Sequence, residues 1–174
     1  TTLVDAGGPT DVICAGTDVS LNGSFGGGAS SAQWSGGTGV FSDINSLSTV
    51  YTPSFNDINN GSVTLTLTTD DPVGPCPANT SDIVVTINPG VIVEAGPDAA
   101  ICSDDVFTTQ GSIGGSASSG EWNTSGTGLF VSATDLVTDY VPSASDIAAG
   151  SVILTLSTDD PGGPCSQSSS SMTL

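Results

Sequence analysis

The 174-residue sequence predicts an all-β protein built as two tandem β-sandwich modules, and three observations carry that expectation. The first is self-similarity, since Val4-Asp5-Ala6-Gly7 recurs as Val93-Glu94-Ala95-Gly96 and the correspondence runs on through both halves. The second is period-two alternation in Val19-Ser20-Leu21 and in residues 62–67 and 82–87, the pattern of strands with one buried face. The third is punctuation: Gly, Pro, Asn and Asp clusters interrupt the runs roughly every 8 to 12 residues, which suits short strands and leaves no room for a helix of useful length.

Read in order, the repeat matches Ile13-Cys14 with Ile101-Cys102, Trp34 with Trp122, and Gly37-Thr38-Gly39-Val40-Phe41 with Gly126-Thr127-Gly128-Leu129-Phe130. Tyr51-Thr52-Pro53-Ser54 then matches Tyr140-Val141-Pro142-Ser143. Next, Asp57-Ile58 and Gly61-Ser62-Val63-Thr64-Leu65-Thr66-Leu67 return as Asp146-Ile147 and Gly150-Ser151-Val152-Ile153-Leu154-Thr155-Leu156. Asp70-Asp71-Pro72 and Gly74-Pro75-Cys76 likewise return as Asp159-Asp160-Pro161 and Gly163-Pro164-Cys165. Residues 57–61 and 146–150 read as at most one helical turn, opened by a Ser, Asn or Asp cap and ended by Gly. Asn88-Pro89-Gly90 reads as the linker, giving modules 1–88 and 89–174. Met172-Thr173-Leu174 reads as the counterpart of Val85-Thr86-Ile87, so an array is expected to continue past it. A module of this size, with about seven strands, a core Trp and a Tyr ahead of a late strand, fits an immunoglobulin-like sandwich. Trp34 and Trp122 are therefore expected in the core, and Tyr51 and Tyr140 as corner residues.

Those residues also carry a resemblance. Ala95-Gly96-Pro97-Asp98, Ile101-Cys102, the single Trp per module, Tyr-x-Pro-Ser, Asp-Ile-x-x-Gly-Ser-Val-x-Leu-Thr-Leu and Thr-Asp-Asp-Pro-x-Gly-Pro-Cys resemble the PKD-like and Ig-like repeats of large Bacteroidota cell-surface proteins of adhesin and gliding type. The resemblance covers both modules and implies spacer modules, with binding often placed elsewhere in the protein. Where PKD domains usually carry a Trp-Asp-Phe-Gly-Asp-Gly stretch, this chain has Trp34-Ser35-Gly36-Gly37-Thr38-Gly39, so the modules are PKD-like and no binding residue carries over.

Composition narrows function sharply. The chain has no Lys, Arg or His against 18 acidic residues, a formal charge of -18. Ser-His-Asp or Cys-His nucleophiles, Schiff-base lysines, His-ligated zinc and arginine phosphoryl clamps all need residues it lacks. Nucleic acid is excluded as a partner and direct adsorption to anionic lipid disfavoured, because both need cations. No apolar run is long enough to insert into a membrane and no charged segment precedes one as in a signal peptide. The absence of trypsin-like cleavage sites points to an exposed extracellular surface.

Four cysteines without a histidine read as disulfides formed in an oxidising compartment. Cys14, Cys76, Cys102 and Cys165 could pair within a module or between adjacent modules, and the sequence leaves both patterns open. The carboxylates have no cation to pair with inside the chain, so they are solvated or hold metal. Asp70, Asp71, Asp159 and Asp160 in matching loops, with Asp5 and Glu94 near the module starts, are the candidate ligands for Ca²⁺, the one candidate cofactor, beside the alternative of a solvated acidic surface. The sequence is thus read as a non-catalytic extracellular structural repeat, part of a rod, stalk or filament on a bacterial surface. Its partners are then copies of itself or adjacent repeats along a fibre. The alternative is an accessory carbohydrate-binding module of a secreted enzyme, which an exposed aromatic row on one sheet would favour.

Overall fold

A computed structural model describes residues 2–8, 12–73 and 77–174. The chain divides into two compact units, Thr1–Pro89 and Gly90–Leu174. Among the described residues of unit one the strands are β1 (Leu3–Asp5), β2 (Val12–Cys14), β3 (Val19–Asn22), β4 (Ser24–Gly26), β5 (Ala32–Gly36), β6 (Val40–Phe41), β7 (Ser48–Thr52), β8 (Ser62–Thr69) and β9 (Thr80–Asn88). Helix α1 (Phe55–Asn60) lies between β7 and β8. Four strands form a sheet in the order β2-β9-β8-β5, three form a second in the order β3-β7-β6, and β1 pairs with β4.

More strands are present than the seven or so of the expected pattern because glycines break long strands into pieces. Gly7 and Gly8, at φ +82° and +60°, lie past the end of β1, ahead of β2. The first piece pairs antiparallel with β4, and the second pairs parallel with β9. A Cβ at Gly7 would strike the Asn22 carbonyl, so both the conformation and the close approach require glycine there.

The alternation read from sequence becomes the core. In β8 every second residue from Val63 to Thr69 is buried, and in β9 the buried positions are Ile83, Val85 and Ile87. They meet Trp34 from β5 and Val19, Leu21 and Tyr51 from the other sheet in one apolar cluster. Trp34 is 1% exposed and Tyr51 is fully buried. A side chain of that kind removes on the order of 200 Å² from water, roughly 5 kcal/mol before the entropy of ordering is subtracted.

Unit two repeats the plan with β10 (Val91–Glu94), β11 (Phe107–Thr108), β12 (Ser112–Gly115), β13 (Gly120–Thr124), β14 (Leu129–Phe130), β15 (Asp139–Val141), α2 (Ala144–Ala149), β16 (Ile153–Thr158) and β17 (Ser169–Thr173). The sheets run β13-β16-β17, β11-β15-β14 and β10-β12. Trp122, Tyr140, Leu154, Leu156 and Met172 form its core. All-β architecture, the sandwich and the core place of both tryptophans thus stand as expected.

One correspondence read from sequence is corrected by the ladders. Leu65 pairs with Ile83 in unit one, and its counterpart Leu154 pairs with Met172 in unit two. Met172-Thr173-Leu174 therefore matches Ile83-Val84-Val85, two positions earlier than the sequence comparison put it. The polar run Ser168–Ser171 offers no apolar landmark for alignment, whereas the hydrogen-bond register does. Among the described residues of unit two, no strand equivalent to β2 is formed.

Candidate functional site

At one corner of each unit a tyrosine and an aspartate are held together by the short helix. Ser54 caps α1 in a capping box, its hydroxyl accepting from the Asp57 N–H while the Asp57 carboxylate accepts from the Ser54 N–H. Gly61 closes the helix in the left-handed conformation, φ +71°. The Asp57 side chain is buried and gathers five donors: Tyr51 OH at 2.7 Å, Ser54 N at 2.9 Å, Ser54 Oγ at 3.0 Å, and Thr38 N and Oγ1, both at 3.1 Å. The Tyr51 hydroxyl in turn accepts from Gly39 N–H at 2.7 Å. A Cβ at Gly37 or Gly39 would collide with the Tyr51 ring or hydroxyl, which explains why Gly-Thr-Gly stands at this point of the sequence.

Unit two builds the same corner. Asp146 accepts from Tyr140 OH at 2.8 Å, Ser143 N and Thr127 N at 2.9 Å, and Gly128 N at 2.8 Å. Burial pushes the Asp57 carboxyl up, but the hydrogen bonds from Ser54, Tyr51 and Thr38 outweigh it and lower its pKa to about 2. For Asp146 the Ser143 and Thr127 N–H groups act most strongly and hold the carboxyl well below the usual range. Burial, then the Asp57 carboxylate, pushes the Tyr51 phenol up to about 12. Sequence reasoning expected corner tyrosines and solvated aspartates. The buried carboxylate was missed, although the Ser-x-x-Asp spacing of a capping box was there to find it.

A second pair of carboxylates fastens loops. Asp70 accepts from the Ser30 hydroxyl, from Ser30 N at 2.9 Å and from Ser31 N at 3.1 Å. Asp159 does the same with Ser118 and Ser119. The serine hydroxyl, then the two N–H groups, lowers the pKa of both, that of Asp159 to about 2. These two candidate calcium ligands are thus acceptors for their own loops. Asp5 caps its own turn, accepting from Gly7 N–H at 2.9 Å. Among the described residues no group of three or more His, Cys, Asp or Glu is placed to hold a metal ion, so Asp70, Asp71, Asp159, Asp160, Asp5 and Glu94 are not gathered into one cage.

Cys14 in unit one is a disulfide cysteine, as is Cys165 in unit two, and Cys102 is an exposed free thiol. Cys76 lies outside the described residues. The aromatic residues line up inside rather than outside: Trp34 stacks on Phe41, which leans on Tyr51, and Trp122, Phe130 and Tyr140 repeat the series. Phe55 is the one aromatic side chain with a largely exposed ring, so the described residues form no aromatic row for stacking on a sugar. The two tryptophans differ in one respect. Trp122 Nε1 donates to the Leu136 carbonyl at 3.1 Å, whereas Trp34 Nε1 is buried without a partner, a deficit of about 1 to 3 kcal/mol in unit one. No helix among the described residues is long and apolar enough to cross a membrane.

No protein-family model and no curated protein matches the chain. Solved structures do. The insect immune protein hemolin is 12% identical over 95% of this chain and 44% of its own, with a TM-score of 0.56. Human CDH23 EC21-23 is 11% identical over 95% of this chain and 59% of its own, with a TM-score of 0.50. The chain therefore spans about half the length of these structures. At such identities the likeness shows the fold: the units are Ig-like β-sandwich domains of the kind shared by immunoglobulin-type and cadherin-type proteins.

Proposed function

We propose that the chain is a non-catalytic, extracellular structural repeat protein, part of a rod, stalk or filament on a bacterial cell surface and akin to PKD-like repeats. One observation carries the reading: Asp57, Asp70, Asp146 and Asp159, the carboxylates whose acidity the structure alters, all serve as hydrogen-bond acceptors within their own unit, at matching places in both. An active site is seldom duplicated along with every supporting contact, whereas a spacer is duplicated by extension. Modules 1–88 and 89–174 are then the repeating elements. The charge of -18 keeps such a surface soluble, and the lack of Lys and Arg leaves nothing for trypsin-like proteases. Hemolin, whose domain arrangement has implications for homophilic adhesion, supports self-association as a use of this fold.

Two finer proposals belong to the reading. Disulfides join neighbouring modules or copies, Cys102 being the thiol exposed for that purpose. Calcium at the acidic loops, Asp71, Asp160, Asp5 and Glu94 included, relieves repulsion along the fibre, a proposal that rests on the charge balance alone. Denaturing electrophoresis and sizing of native material, with and without reductant and in calcium or chelator, test all of this together. The expected outcome is a denaturant-resistant assembly that falls to shorter pieces on reduction and loosens in chelator. A discrete monomer under non-reducing conditions rejects the filament, and identical behaviour in calcium and chelator rejects the metal.

A further inference from the structure

We infer that the outer face of the β11-β15-β14 sheet in unit two docks a basic protein partner, one that presents a Lys or Arg between aliphatic side chains at the two-residue period of a strand. The ladders define the face. β15 lies in the middle, with Thr108 opposite Asp139 on one side and Leu129 opposite Val141 on the other. One step further in the first register brings Val106 beside Val141, and the bond from Val131 N–H to the Asp139 carbonyl, at 2.9 Å, continues the second. Along β15 and the two residues before it, the alternation that buries Thr138 and Tyr140 turns Val137, Asp139 and Val141 outward.

Five aliphatic side chains thus surround one carboxylate. Leu129 is 73% and Val131 76% exposed, and Val106, Val137 and Val141 lie between 46% and 61%. They leave on the order of 500 Å² of apolar surface in water, the scale at which such a patch marks an interaction site. Duplication supplies the contrast. Unit one builds the same sheet, β3-β7-β6, and there Asp18, Val40, Ser42, Ser48 and Thr52 stand around Val50. Its one carboxylate in this group, Asp18, accepts from Thr52 Oγ1 at 2.7 Å. The sandwich therefore does not require exposed aliphatic residues at these positions. Unit one has a mostly polar ring around an apolar centre, and unit two an apolar ring around a charge.

Charge selects the occupant. Thr108 Oγ1 donates to Asp139 Oδ1 at 2.7 Å, which leaves Oδ2 open among the described residues. Covering the face takes that carboxylate out of water, and the chain has no Lys, Arg or His to pair with it. A second copy brings no cation either, and stacked face to face it would set one Asp139 against another. Nucleic acid and anionic lipid would add further negative charge. A protein segment with a central Lys or Arg answers the carboxylate and lays the stem of that side chain along the valines. Aliphatic residues two positions to either side then cover Val137 and Val141. The segments leading into Val106 and Val137 carry the exposed Asp104, Asp105 and Asp135, where unit one has Gly16, Thr17 and Ser46, and they steer a basic partner toward the face. The face and its charge carry this inference, and it does not depend on the fibre reading.

The probe is a cyclic β-hairpin peptide with Ile-Thr-Arg-Thr-Ile in one strand, titrated into the full chain and followed by methyl NMR. Saturable binding is expected, with shifts at Leu129, Val131 and Val141 and none at Val40 and Val50 of unit one. Hairpins with Ile-Thr-Gln-Thr-Ile or Ser-Thr-Arg-Thr-Ser are expected to bind about tenfold more weakly, since each removes one half of the contact. In the protein, Asp139→Asn is expected to weaken the first hairpin by about the same factor, as is Val131→Ser combined with Val141→Thr. Unit one already folds with Ser42 and Thr52 at those two places, so the double variant keeps the sheet. Equal affinity for Ser-Thr-Arg-Thr-Ser, or affinity unchanged by the substitutions, shows general attraction to a chain of charge -18 and overturns the docking face. Absence of binding by the first hairpin overturns it as well.

Discussion

Asp57→Asn is expected to destabilise unit one by about 3 kcal/mol, although the side chain keeps its size and shape. The carboxylate accepts from five donors, among them the Ser54 N–H and the Tyr51 hydroxyl on the same oxygen. An amide supplies one acceptor oxygen and turns an NH₂ toward the remaining donors. The backbone N–H groups of Ser54 and Thr38 use different oxygens and cannot both be satisfied, so one is left buried against an NH₂ group, although the Ser54 hydroxyl still accepts from the residue 57 N–H. Tyr51→Phe is expected to cost less, about 1 to 2 kcal/mol, since it removes one donor from Asp57 and one acceptor from Gly39 N–H but leaves the helix cap. Each unit contains a single tryptophan, so urea unfolding followed by fluorescence in a Trp122→Phe background reads unit one alone. A change below about 0.5 kcal/mol for Asp57→Asn, the range of ordinary surface substitutions, contradicts the role assigned to the corner.

The same corners set an acid limit. The Asp57 carboxyl is held at about 2 in the folded protein, against about 3.9 in an unfolded chain. A folded pKa below the unfolded one stabilises the protein at pH values above the unfolded pKa. That contribution is lost as pH falls through the folded pKa. It amounts to roughly 2 to 3 kcal/mol at neutral pH for Asp57, and Asp146 acts in the same direction. At the alkaline side the signs reverse: Tyr51, raised to about 12, stabilises below its unfolded value near 10 and stops doing so as pH rises through 12. With no His, Lys or Arg to titrate between these limits, stability is expected to be nearly flat from about pH 5 to 8 and to fall steeply between about 4 and 2. Protonation of carboxylates that make no such bonds relieves repulsion and works against the fall, so Asp57→Asn and Asp146→Asn together are expected to shrink it, leaving the part carried by Asp70 and Asp159. Urea midpoints across the pH range check this. A decline already under way at pH 6 contradicts it.

Much of the fold could be read from the sequence because strands and duplication leave strong local marks. The alternation in residues 62–67 and 82–87 fixes which face is buried before any partner is known. Trp34 and Trp122 show their role through recurrence at one place in each module. What could not be read depends on pairing partners far apart in sequence. Asp57 looks like any other acidic residue until Thr38, Ser54 and Tyr51 are brought around it, and Asp70 becomes a loop clamp only when Ser30 arrives from 40 residues away. The place of Met172 could not be fixed from a serine run either, since serines at 168–171 align equally well in several registers. Only the ladder with Leu154 decides it.

Electron microscopy of the native assembly tests the structural-repeat reading most directly. The account predicts slender fibres or stalks in which the sandwich unit recurs along the axis at a regular spacing. Discrete compact particles, each holding one chain and no axial repeat, contradict it.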